Sequence, residues 1–261
     1  MYSTCPKCGF HNRSADAVNA DQCAACGLVF SKWLQNLVSE DPATAATASG
    51  RKAAPHLAAG AWQTMARFVL PRRAGVGKLE LAGYAVIWGV LVLWGLDFIA
   101  MDFRSNAIGQ SFLHNINLVF HEAGHVLFRP FGRSMMFLGG SLFQVLLPLL
   151  LMLAFLVKNK DGFAASVCLW WAGQSLMDVA PYIADARALR LPLLGGGTGA
   201  DAPGMHDWAN LLRPRGWLQY DMQIASAADS IGSGMLLLAL AWGALMLWRY
   251  YHGERQDQVG R

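Results

Sequence analysis

The chain has 261 residues, of which 54% are hydrophobic and only 15% charged, with a formal net charge of +4. A soluble globular domain carries roughly 25% charge, so this balance excludes an ordinary soluble domain. It equally excludes a disordered, collagenous or disulfide-rich secreted chain.

Residues 1–36 carry Cys5-Pro6-Lys7-Cys8 and Cys23-Ala24-Ala25-Cys26, two CxxC pairs fourteen residues apart, each followed by a glycine, Gly9 and Gly27. Two thiolates spaced by two residues can hold one Zn²⁺ from a tight turn, and a second pair closes a tetrahedral S₄ site. So short a segment has little apolar core, and the metal would supply much of its folding free energy. Two disulfides or a redox CxxC are the alternatives. Against them, residues 1–20 have no apolar signal-peptide core and no βαβ pattern surrounds either pair. The run CPKCGF through CAACGLVFSKW resembles the zinc ribbons at the amino termini of many bacterial membrane proteins, which implies a small β zinc ribbon with a structural Zn²⁺ and a role in structure or in binding a protein partner. Lys7, Arg13 and Lys32 against Asp16 and Asp21 make too weak a positive field for nucleic acid.

Residues 37–78 read as a linker and juxtamembrane segment. The stretch 39–60 has almost no large apolar side chain, whereas 61–70 sets Trp62, Met65, Phe68 and Val69 beside Arg67 and reads as an interfacial helix or as more linker.

Residues 79–250 hold the apolar runs. A helix needs about 20 apolar residues to cross a bilayer core of roughly 30 Å. Spans are expected at 79–101, 136–157, 163–184 (interrupted by Asp178 and Pro181) and 231–248. The run 112–128, with His114, His121, Glu122 and His125 among apolar residues, is a fifth span or a partly inserted helix. The expected fold is therefore mostly α: a polytopic bundle of about five membrane helices behind the ribbon, with a polar tail at 251–261. Arg67, Arg72, Arg73 and Lys78 precede the first span and place the amino terminus in the cytoplasm. The loop 191–229 is extramembrane, its Gly195-Gly196-Gly197 marking flexibility, since no phosphate-binding context surrounds it. Cys168 reads as a small buried apolar residue, and Trp62, Trp94, Trp170, Trp171, Trp208 and Trp217 include interfacial anchors.

His121-Glu122-Ala123-Gly124-His125 is an HExxH motif. On a helix the two histidines lie four residues apart on one face and can share a metal, with Glu122 placed to take a proton from an activated water. Ionisable side chains inside an apolar segment are costly and usually functional. A third ligand of the metzincin type is absent, because Phe128 and Phe131 stand where that pattern needs glycine and histidine. A later glutamate is nearly excluded, Glu254 being the only one. Among aspartates, Asp178 is favoured: it lies nine residues before Arg187, and His121 eight before Arg129, so the two reach a similar depth. Asp185 follows, then the His206-Asp207 pair. His114, on the face of His121, orients a ligand or simply packs in the bundle. Gln144 binds substrate or a neighbouring helix, and Gly139 and Gly140 admit a substrate strand or a close helix.

With HEAGH, the glycine-rich GGSLFQ entering the next span and an intramembrane Asp178, residues 110–190 resemble the site-2 protease family of intramembrane zinc metallopeptidases. The resemblance implies a catalytic Zn²⁺ on His121, His125 and Asp178, with Glu122 as general base. It also implies hydrolysis of a peptide bond in a membrane protein or peptide substrate, by a multi-pass protein of the bacterial inner membrane. That family's aspartate commonly sits in Leu-Asp-Gly, whereas here it is Met177-Asp178-Val179. The competing reading is a non-enzymatic membrane protein that binds or senses metal while its ribbon docks a protein partner.

Overall fold

A computed structural model describes residues 4–11, 21–38, 66, 68–71 and 76–259, and the chain divides into two units, Met1–Ala61 and Trp62–Arg261. Most of the expected linker, with Trp62, lies outside the described residues.

In the first unit the two CxxC turns repeat one geometry. The Cys5 amide donates to Phe10 O and the Gly9 amide to Cys5 O, and Cys23, Leu28 and Gly27 make the same pair of bonds, all at 2.9 Å. Gly9 and Gly27 have φ of +72° and +71°, a region that costs most other residues energy. Each turn is closed by one isolated antiparallel bridge, Thr4 with His11 and Gln22 with Val29. The expected β ribbon is thus corrected: no strand forms among the described residues, because each turn adds a single bridge to its cysteine pair. Helix α1 (Phe30–Val38) follows, its start held by Asp21, whose carboxylate accepts from the Ser31 amide at 3.0 Å. Phe30 packs on buried Cys5 and Cys23 as the small core.

The second unit is helical: α2 (Lys78–Ala100), α3 (Phe112–Phe128), α4 (Arg133–Ala154, continued by a π-helical turn Phe155–Asn159), α5 (Gly162–Ala184), the short α6 (Asp207–Leu212) and α7 (Asp221–Val259). Asp161 starts α5 by accepting from the Ala164 amide at 2.9 Å, and Ser111 starts α3 in the same way through the His114 amide. Helix α5 is the centre, most of its residues buried. It meets α7 where glycines face each other: a Cβ on Gly232 would stand 2.6 Å from Gly173 O. Helix α3 meets α4 in the same manner at Gly124 and Gly139. Small residues let helix backbones approach closely in an apolar setting. Val76, Phe163, Met246 and Tyr250 form a further cluster near the start of α2, and Trp242 donates to Val69 O.

Three helices among the described residues are long and apolar enough to cross a membrane: Lys78–Ala100, Arg133–Asn159 and Leu218–Gly253. This is fewer than the five expected. Helix α3 has 17 residues, about 26 Å at 1.5 Å each, and carries three histidines and a glutamate. Helix α5 is long enough, but Gln174, Ser175 and Asp178 are buried in it against its neighbours, so its sequence need not be apolar all round. By contrast α2 buries only Gly95 and Phe98 and exposes Val86, Val90 and Leu93, as a lipid-facing helix would.

Candidate metal centres

Cys5, Cys8, Cys23 and Cys26 converge, with one sulfur from each lying within 4.8 Å of the others. Tetrahedral ligands stand about 1.63 bond lengths apart, which is about 3.8 Å for zinc–sulfur bonds near 2.3 Å. Cys5 and Cys26 Sγ are 3.7 Å apart and Cys8 and Cys23 Sγ 3.8 Å. None of these cysteines is in a disulfide. The set fits one tetrahedral ion.

The second centre lies in the helical unit. His121, Glu122 and His125 bring a ligand atom each within 4.8 Å of one another. The His121 Nδ1–H donates to Gln144 Oε1 at 2.8 Å, and the His125 Nδ1–H donates to Met136 O at 2.8 Å. A main-chain carbonyl can only accept. Gln144 is oriented as well, since its Nε2 donates to Ser175 O and the Ser175 hydroxyl returns a bond to Gln144 O. Both rings are therefore held with the Nε2 lone pair turned the other way, the arrangement in which histidine binds metal. Gly140 leaves room for them: a Cβ there would lie 2.5 Å from His121 Nε2 and 2.7 Å from His125 Cε1.

Both Nε2 atoms face one carboxylate oxygen, Asp207 Oδ2, each at 3.2 Å. Two neutral imidazole lone pairs aimed at an anion repel it unless a cation stands between. Zinc–nitrogen and zinc–oxygen bonds of about 2.0–2.1 Å place tetrahedral ligands roughly 3.3 Å apart, close to what is found. Asp207 opens α6, where the His206 ring accepts from the Ala209 amide as N-cap. Trp208 ties that helix to α4 through Ser141 Oγ at 3.1 Å. The Tyr182 hydroxyl accepts from the Asp207 amide at 3.0 Å and lies 3.4 Å from Asp207 Oδ2.

The structure puts Asp178 elsewhere. Its carboxylate accepts from His114 Nδ1 at 3.0 Å and from Asn117 Nδ2 at 3.1 Å, in a buried cluster with Gln174 and Trp171. His114 and Asn117 lie seven and four residues before His121, so Asp178 reaches α3 one to two turns short of the motif. Asp185 accepts from the Arg190 and Leu191 amides and lies 3.4 Å from His206 Nε2. It and His206 shape the loop beyond α5. Asn117, Met136 O and Tyr182 carry no motif that would single them out in the sequence. Gly139 and Gly140 serve the α3 crossing and the histidine rings, and Gln144 orients His121.

His121, Glu122, His125 and Asp207 line a cavity of about 670 Å³. His114, Asp178 and Tyr182 line it too, and Leu191, Pro192, Leu193 and Leu194 add an apolar wall. No family model, curated protein or solved structure compared with the chain matches it.

Proposed function

We propose that the protein is a multi-pass membrane zinc hydrolase of the site-2 protease type, cutting a peptide bond in or beside the bilayer, with the Cys₄ unit as a structural zinc module that docks a protein partner. The observation that carries the reading is the pair of oriented Nε2 atoms at 3.2 Å from Asp207, with Glu122 beside them in a cavity. His121, His125 and Asp207 would hold the catalytic ion, so Asp207 replaces Asp178 as third ligand. Zinc there supplies Lewis-acid polarisation of the substrate carbonyl and acidifies a water.

Glu122 takes the proton of the attacking water and returns it to the departing amine, a role worth about 10²–10⁴ in rate. Gln144 and Met136 O keep the imidazoles in register, and Tyr182 keeps Asp207 in register. Extended substrate backbone has to replace helix at the cut, since helical carbonyls are already hydrogen-bonded. Glu122→Gln in the full chain should keep the zinc content of the wild type and lose hydrolysis of membrane peptides. Hydrolysis at the wild-type rate would refute the assignment.

A further inference from the structure

Arg129, exposed just past the end of α3, is among the residues that line the cavity. Arg129 is the only lysine or arginine among its lining residues, and its guanidinium has no ion-pair partner among the described residues. The three carboxylates in the lining are engaged or placed elsewhere. Asp178 is held by His114 and Asn117, and Asp207 faces the two imidazoles. Glu122 stands with the histidine group. Arg129 lies one turn past His125, about 6 Å along the helix, and two turns past His121, about 12 Å. Toward the start of α3 the lining instead holds Asn106, Gln110 and the paired His114 and Asp178. The cavity is thus polarised along α3, with the candidate metal ligands in between.

We propose that Arg129 is a carboxylate-reading subsite that selects substrates with an acidic group two or three residues from the scissile bond. The inference rests on the hydrolase reading and deepens it. An extended peptide advances about 3.4 Å per residue, so the roughly 9 Å along the helix from Arg129 to the midpoint of the two histidines corresponds to about two or three residues. The carboxylate is that of an aspartate or glutamate side chain, or of a chain terminus. The apolar wall of Leu191, Pro192, Leu193 and Leu194 accommodates the hydrophobic residues between the two points.

The test uses the full chain in detergent and quenched-fluorescence peptides of one apolar sequence. They carry Glu, Gln or Lys two or three residues to either side of the cut, with the carboxyl terminus free or amidated. Mass spectrometry locates the cut. For the wild type the Glu peptide should exceed its Gln counterpart by ~10-fold in kcat/KM, mostly through KM, as for a single charge-assisted hydrogen bond. Arg129→Gln should bring the two within twofold of each other, and Arg129→Glu should reverse the order in favour of Lys. A preference that follows the free terminus instead, and collapses in Arg129→Gln, supports the same subsite and identifies the terminus as its ligand. Glu122-dependent cleavage with equal Glu and Gln rates, or a Glu preference that survives in Arg129→Gln, overturns this proposal alone. Absence of any Glu122-dependent cleavage overturns the hydrolase reading and the subsite with it.

Discussion

The direction of two hydrogens decides what His121 and His125 can do. Each Nδ1–H is committed, one to Gln144 and one to a main-chain carbonyl, so each ring in its neutral form turns an Nε2 lone pair toward Asp207. Loss of such an orienting bond typically costs about 10–100-fold in metal affinity. Gln144→Leu should therefore weaken the ion at this centre by about that factor in chelator competition and leave the Cys₄ ion unchanged. Gly140→Ala should act more severely, because its methyl would occupy space 2.5 Å from His121 Nε2; the expected result is loss of the ion with the helical circular dichroism retained. At this scale HEAGH was legible, since both histidines and the glutamate belong to one contiguous helical turn. Asp207 was much less so. It sits in a six-residue helix after a long loop, and neither span periodicity nor depth counting reaches it. The His206-Asp207 pair itself was the one local sign, ranked behind Asp178 and Asp185.

At the scale of elements, glycine contacts decide which helices touch. The α5–α7 crossing depends on Gly173 and Gly232, whereas a Cβ on Gly234, in the same helix as Gly232, would meet nothing within 4 Å. Gly173→Val should lower the thermal midpoint of the detergent-solubilised protein, with an overpacking cost of about 1–3 kcal/mol. Gly234→Ala should leave it unchanged or raise it slightly, as Ala in place of Gly favours helix. Equal midpoints for both variants would refute the crossing. The same contacts explain what helix counting missed. The run 163–184, read as a span interrupted by Asp178 and Pro181, is a helix surrounded by protein, which lets it carry Gln174, Ser175 and Asp178. The depth match correctly brought Asp178 to α3, but it ignored the one to two turns that separate His114 and Asn117 from the metal motif.

For the whole molecule, each of the two units offers one group of side chains that could hold a metal ion. The CxxC spacing announced the first directly, because four thiolates and two glycines leave few other structures; among the described residues its turns each close with one bridge and no strand forms. The composition announced the membrane, and three of the expected spans meet that requirement on their own. Cys8→Ser with Cys26→Ser should remove one ion per chain and spare the other, and Glu122-dependent hydrolysis should persist if the first unit acts only in structure and docking. The central claim is that Asp207, with His121 and His125, holds the second ion. Zinc per chain, measured by elemental analysis on the purified full-length protein, tests it most directly. The account predicts two ions in the wild type, two in Asp178→Ala and one in Asp207→Ala. Two ions in Asp207→Ala, or one in Asp178→Ala, would contradict it.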